Sequence, residues 1–186
     1  PAVPGVGTYS TGIPVPSLST ADVQGTLTLN TNLGSITVPS NMLTGVAGAD
    51  GNTARIVISQ GNKSTLPKDL RSAVGNRPLI QLTLSIDGKQ IAWHNPKTSV
   101  TVAIPYTPTP EELTRSEHIT VWYIDDNGRI DSLDGKYDPL SGTVIFTTSH
   151  FSYFAVVYDP VARLAGMDRF ETGLRIARAA YPDKIN

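Results

Sequence analysis

Near the end of the 186-residue chain, "TTSHFSYFAVVYD" (147–159) sets a base, a bulky apolar residue and a hydroxyl side by side as His150-Phe151-Ser152. A serine hydroxyl can attack its own preceding carbonyl when a base removes its proton and the peptide is held out of its relaxed shape. Histidine, with an ordinary pKa of about 6.5, is largely neutral at neutral pH and can take that proton. On a β-strand, His150 and Ser152 share one face as positions i and i+2, and Phe151 points to the other. Two readings follow. The tripeptide is part of an ordinary strand whose first residues sit beside solvent, or it is a peptide bond set up to be broken from within.

The elements that must position it read as strands. "VQGTLTLNTNLGSITVP" places Leu27 and Leu29, then Ile36 and Val38, on alternate positions, as half-buried strands require. "ARIVISQ", "PLIQLTLSIDGKQIAW", "TSVTVAIPYTP", "HITVWYIDDNGRI", "GTVIFTT" and "HFSYFAVVYD" repeat the pattern. "IDGK", "DDNGR" and "LSGT" are compact hairpin turns whose Gly or Asn can take positive φ. "PKDLRSAV" (Pro67–Val74) is the one short helix predicted among them. Seven or eight short strands at hairpin spacing predict a mainly β fold, an antiparallel β-sandwich, over 22–159. Residues 1–21, with Pro4, Pro14 and Pro16 among Gly and Ser, read as a linker or edge segment.

After Asp159-Pro160 the period changes. Phe170, Leu174, Ala177 and Tyr181 form one helical stripe. Asp168 caps it with Glu171 three residues on, and Pro182 stops it. Residues 160–186 are therefore expected as a C-terminal amphipathic helix that cannot bury its own face.

Composition narrows the function classes. Fifteen Lys and Arg against sixteen Asp and Glu give a net charge of -1, no footprint for nucleic acid or an anionic membrane. Charged residues are 17% of the chain, below the roughly 25% usual in soluble domains. Ser and Thr replace them, which suits strands and an extracellular setting. No apolar run approaches the ~20 residues that span a bilayer. "PAVPGVGTYS" lacks the basic and apolar regions of a signal peptide, so an exported parent would make this an excised piece. The chain has no cysteine, which excludes disulfides and thiolate metal sites.

Other candidate sites are weaker. His94 and His118 stand isolated in sequence, and three scattered histidines make no metal spacing, so neither metal nor cofactor is expected. "DDNG" starts like a calcium loop but lacks the downstream Glu and reads as a turn. Trp93, Trp122, Tyr106 and Tyr123 could form a sugar-stacking platform or belong to the core. Glu111-Glu112 reads as a pair solvating a loop after Pro110.

Three resemblances add to this. "RLAGMDRFETGLRIARAAYP" (Arg163–Pro182) resembles the opening of the cell-wall-binding repeat of clostridial surface proteins, with Gly173 where that pattern usually has Ala. In that family, complete sets of repeats hold the protein on anionic wall polymers. The body from about 22 to 158 resembles a module found beside S-layer-homology or wall-binding repeats in Firmicute surface proteins. It does so through "VGNRPLIQLTLSIDGKQI", "VTVAIPYTP", "ITVWYIDDNGRI", "GKYDPLSGTVIFTT" and "SHFSYFAVVY". The order of a Trp-bearing strand (Val121-Trp122-Tyr123), a Gly turn, a Thr-rich strand and "HFSYFAV" is similar to the GAIN-type proteolysis site of adhesion receptors and to ZU5-type domains. That similarity implies that Ser152 is the nucleophile, Phe151 supplies the attacked carbonyl and His150 is the base. An N-to-O acyl shift would leave an ester at Ser152, which water hydrolyses to give two chains held by sheet hydrogen bonds. Such chemistry is single-turnover at most and makes no turnover enzyme. Together these resemblances imply an extracellular spacer of a bacterial cell-surface protein, its self-cut between Phe151 and Ser152 optional. Its implied partners are neighbouring domains of the same chain and a wall polymer bound through repeats mostly absent here. A glycan- or protein-binding adhesin module is the alternative.

Overall fold

Alternating apolar and polar side chains build twelve strands in the computed structural model, which describes residues 7–159. The expected helix and repeat at 160–186 lie outside the described residues. The strands are β1 (Thr8–Pro14), β2 (Thr26–Asn30), β3 (Ser35–Pro39), β4 (Thr53–Gln60), β5 (Leu79–Ile86) and β6 (Lys89–Ile91). They continue as β7 (Val100–Pro105), β8 (Ile119–Ile124), β9 (Ile130–Ser132), β10 (Lys136–Asp138), β11 (Thr143–Thr148) and β12 (Tyr153–Tyr158). Two short helices, α1 (Lys68–Val74) and α2 (Pro110–Thr114), interrupt them. The fold is mainly β: two antiparallel sheets, of seven and five strands, arranged as a sandwich. The chain divides into two compact units. Among the described residues, one holds 7–60 with Ile80–Ala103 and Thr147–Ser152; the other holds Gly61–Leu79, Ile104–Phe146 and 153–159.

In the first unit β1, β4 and β5 lie side by side, β1 against β4 in register from Thr8↔Ser59 to Pro14↔Thr53. Segment 1–21 thus supplies an edge strand. Its Pro14 ends the strand, where a missing N–H disturbs no ladder. β2, β3 and β7 form the second group. Ala54, Ile56 and Ile58 of β4 and Leu82, Leu84 and Ile86 of β5 are buried at alternate positions, as the period-two pattern demands. Leu27 departs from expectation. It is 41% exposed because β2 is an edge strand paired only with β3, whereas Ile36 and Val38 of β3 are fully buried. Between β5 and β6, Asp87 and Gly88 both take positive φ, 50° and 87°, the signature of a two-residue type I′ hairpin. The Asp87 carboxylate accepts the N–H groups of Asn52 and Thr53, each at 2.9 Å, which holds its pKa below the usual carboxylate range and pins the entry to β4.

In the second unit β12, β8 and β9 are neighbours, and β10 pairs with β11 as a hairpin. Helix α1 buries Leu70 and Val74, one turn apart, against Trp122, Ile124, Ala155 and Val157. It ends at Gly75, whose φ of 57° suits a residue without a Cβ. Phe154 of β12 is fully buried, its ring 5.6 Å from that of Tyr123 and 5.2 Å from that of Phe146. One expectation needs correction: β12 begins at Tyr153, so His150-Phe151-Ser152 precedes the strand it was expected to open.

Deleting a fully buried aromatic ring costs about 3–5 kcal/mol through lost transfer energy and the cavity left behind. Phe154→Ala should lower unfolding stability by that amount in urea titrations, whereas Leu140→Ala, at a tip position 97% exposed, should leave the midpoint unchanged.

Candidate functional site

The link between β11 and β12 is irregular but closely held. His150 forms an isolated antiparallel bridge with His94. Two backbone bonds flank it, from Asn95 N–H to Ser149 O at 2.9 Å and from Phe151 N–H to Trp93 O at 3.3 Å. That pattern makes His94 and His150 a non-hydrogen-bonded pair, the kind in which facing side chains approach most closely. The ring centroids are 6.0 Å apart. The alternate positions turn the other way, and Trp93, 1% exposed, packs on Phe151 with centroids 4.7 Å apart. Phe151 is therefore anchored by backbone and ring together.

The strand-like run stops there. Ser152 is a bend, and its carbonyl accepts from Leu82 N–H of β5 at 2.9 Å. The chain has exchanged one backbone partner for another between Phe151 and Ser152. The expectation of one continuous strand face carrying both His150 and Ser152 is corrected accordingly. Among the described residues, the non-glycine positions at positive φ are Asp87 and Asp134, so that form of backbone strain is located away from the tripeptide.

Thr148 holds both the backbone and the ring of His150. Thr148 Oγ1 lies 2.8 Å from His150 O, 3.3 Å from His150 N and 3.3 Å from His150 Nδ1. A hydroxyl owns one proton, and here the carbonyl takes it. The contact with the ring makes Thr148 a shared partner of the His150 backbone and imidazole.

A second polar cluster escaped the sequence reading. Glu112, expected to solvate a loop, is 4% exposed and is the hub of a network. Arg77 Nη2 donates to Glu112 Oε2 at 2.6 Å, Arg77 Nε donates to the same oxygen at 3.1 Å, and Tyr106 OH donates to Oε1 at 2.6 Å. Thr109 caps α2 by accepting from Glu112 N–H, while Glu112 Oε1 accepts from Thr109 N–H at 3.0 Å. Burial pushes the Glu112 carboxyl up, but the bonds from Tyr106, Thr109 and Arg77 outweigh it and hold the group below the ordinary range. Burial, then the bond to Glu112, pushes the Tyr106 phenol up to about 12 against the pull of Arg77. The Thr109-x-x-Glu112 capping box with Pro110 at the first helical position was a readable signal.

The sugar-stacking platform does not form. Trp93 and Trp122 are 1% and 3% exposed, so neither presents a face to solvent. Trp93 Nε1 donates to Met42 O at 2.9 Å. "DDNG" is a turn between β8 and β9, in which Asp125 Oδ1 accepts from Asn127 N–H and Arg129 N–H, both at 2.9 Å. His118 stands with its ring edge-on to Tyr158, 5.7 Å away. Among the described residues no three His, Asp or Glu gather as metal ligands, and no helix is long and apolar enough to cross a membrane.

No family model matches the chain, and no curated protein matches it either.

Glu112→Gln should cost about 2 kcal/mol, less than the 3–5 of a fully buried broken pair, because a quarter of the Arg77 side chain stays wet. Since the folded pKa of Glu112 is lowered, its stabilisation is present above about pH 4.3 and lost as pH falls through the folded value. Tyr106 has the opposite sign: its contribution is present below about pH 10 and lost as pH rises towards about 12. Urea midpoints across pH should show Glu112→Gln flattening the acid limb and Tyr106→Phe flattening the alkaline limb. Phenolate absorbance at high pH should lose its latest-titrating component in Tyr106→Phe.

Proposed function

We propose that this chain is an extracellular structural module, a spacer of a bacterial cell-surface protein displayed by wall-binding repeats that continue beyond Arg163–Pro182. The observation that carries the reading is the two-sheet antiparallel core with its tryptophans turned inward. Such a body gains its stability from burial along its length. A spacer needs that mechanical integrity, and its aromatic residues serve the core. The resemblance of 163–182 to a wall-binding repeat supports the location.

A second reading, self-scission at Phe151–Ser152, is favoured by one arrangement: the His150 imidazole next in the chain to a Phe151 held by backbone and ring. The chain's change of backbone partner at Ser152 weighs on the other side, because it removes the shared strand face on which His150 would reach the hydroxyl.

Intact mass under denaturing conditions separates the two. A spacer runs as one chain with the mass of all 186 residues, and that is the expected result. Fragments 1–151 and 152–186, abolished by Ser152→Ala, would establish self-scission instead. The cut must be located by sequencing, because Asp138-Pro139 and Asp159-Pro160 are acid-labile bonds. Saturable binding of a glycan array by the purified chain would overturn the inert spacer.

A further inference from the structure

We propose that the free edge of β2, Thr26–Asn30, is a self-association surface that pairs with β2 of a second copy of this chain. No residue of the link between β11 and β12 takes part, so the contact is independent of any cut at Ser152.

An edge strand exposes a row of backbone donors and acceptors, and proteins guard such rows with charge, proline or a bulge. Among the described residues, the strands that end the two sheets are β1 and β9 in one and β2 and β10 in the other. β1 carries Pro14, and Arg55 Nη1 reaches it to donate to Ser10 Oγ at 3.2 Å. β9 contains Asp131, and β10 contains Lys136 and Asp138. The short β6, beside β5, carries Lys89. β2, Thr-Leu-Thr-Leu-Asn, has neither charge nor proline, and Thr26, Leu27, Thr28 and Asn30 are exposed. Its edge is unguarded.

The ladder to β3 decides what that edge offers. Thr31 N–H donates to Gly34 O at 3.0 Å, Gly34 N–H donates to Thr31 O at 3.3 Å, and Ser40 N–H donates to Gly25 O at 3.0 Å. Between these two ends the register runs from Thr26↔Pro39 to Asn30↔Ser35, and hydrogen-bonded pairs alternate with non-hydrogen-bonded ones. Leu27 and Leu29 therefore direct their backbone groups to β3, and Thr26, Thr28 and Asn30 turn theirs outward. Pro39, opposite Thr26, has no N–H to give, as that phase requires.

Turned about a two-fold axis at Thr28, this sequence is its own complement. Thr28 faces Thr28 of the second copy, and Thr26 faces Asn30, as hydrogen-bonded pairs, so every outward N–H and C=O of the strand gains a partner. Leu27 then faces Leu29 of the second copy at a non-hydrogen-bonded position, where side chains approach most closely. Such an isologous contact closes as a dimer. No like charges meet across it, because β2 has none. Behind the strand, Leu29 lines a cleft with Ile36, Ile56 and Ile58, and Leu27 lines another with Ile13, Leu18 and Val38. Neither cleft is lined by a charged residue. The leucines of the second copy extend an apolar layer already begun, which favours a neutral partner strand over a charged one.

An edge of five residues buries little area, so the dimer is weak and reversible. Sedimentation equilibrium of the full chain from about 10 μM to about 1 mM, the span of weak interfaces, should show monomer passing to dimer. Amide exchange should slow with concentration at Thr26, Thr28 and Asn30 and stay constant at Leu27 and Leu29. Thr28→Lys sets two like charges on the axis and should weaken association by about tenfold or more. Thr28→Glu should do the same. The two variants mixed in equal amounts should associate again, because position 28 meets position 28, and circular dichroism checks that each is folded. A monomer at every concentration, which leaves the edge to a segment of a different protein, would overturn the proposal. So would a dimer untouched by Thr28→Lys, or variants that fail to associate when mixed.

Discussion

Buried irregular backbone must find partners for its polar groups, and in the first unit three loops find them in one another. The segment Trp93–Asn95 is the centre of this arrangement. Its indole donates to Met42 O, and the Asn95 amide donates to the carbonyls of Met42 and Thr44 at 3.1 and 3.2 Å. Its backbone meets Ser149 and Phe151 on the other side. Asn95 is 4% exposed, and an apolar residue there would take from Thr44 O its side-chain donor, at a cost of about 1–3 kcal/mol, while Met42 O would keep the indole. The link that carries His150, Phe151 and Ser152 takes its shape from this clamp, so the most chemically suggestive residues of the chain are positioned by an asparagine and a tryptophan.

Much of the fold was legible because local signals agreed. β5 and β6 carry strict alternation and an Asp-Gly turn, and Asp87 and Gly88 adopt the mirror-image turn that those residue types favour. Helix α1 was readable from Leu70 and Val74 after a proline. β1 was harder. Tyr9, Thr11 and Ile13 alternate only weakly in hydrophobicity, and its place comes from seven residues of pairing with β4, a non-local fact. Leu27 shows the converse: alternation predicts which side chains share a face, but not whether anything covers that face.

The candidate site divides in the same way. Phe151 packs on Trp93, the kind of contact that suits a large apolar residue amid Thr, Ser and His. The break at Ser152 was not readable, since it arises from a change of hydrogen-bonding partner between Trp93 and Leu82. The meeting of His94 with His150, 56 positions apart in sequence, is a matter of register, which no single stretch encodes. Glu112 is different. Its capping box lay in plain view, and the reading faltered because two adjacent glutamates suggested solvent.

The burial of both tryptophans has a spectroscopic consequence. Trp93 belongs to the first unit and Trp122 to the second. The first donates its indole N–H to a carbonyl, whereas the second has a buried Nε1 with no hydrogen-bond acceptor among the described residues. Each unit therefore carries its own fluorophore in its own electrostatic surroundings, and the two emissions should differ in wavelength. The molecule comes with a built-in pair of probes for asking whether its halves melt together or in turn.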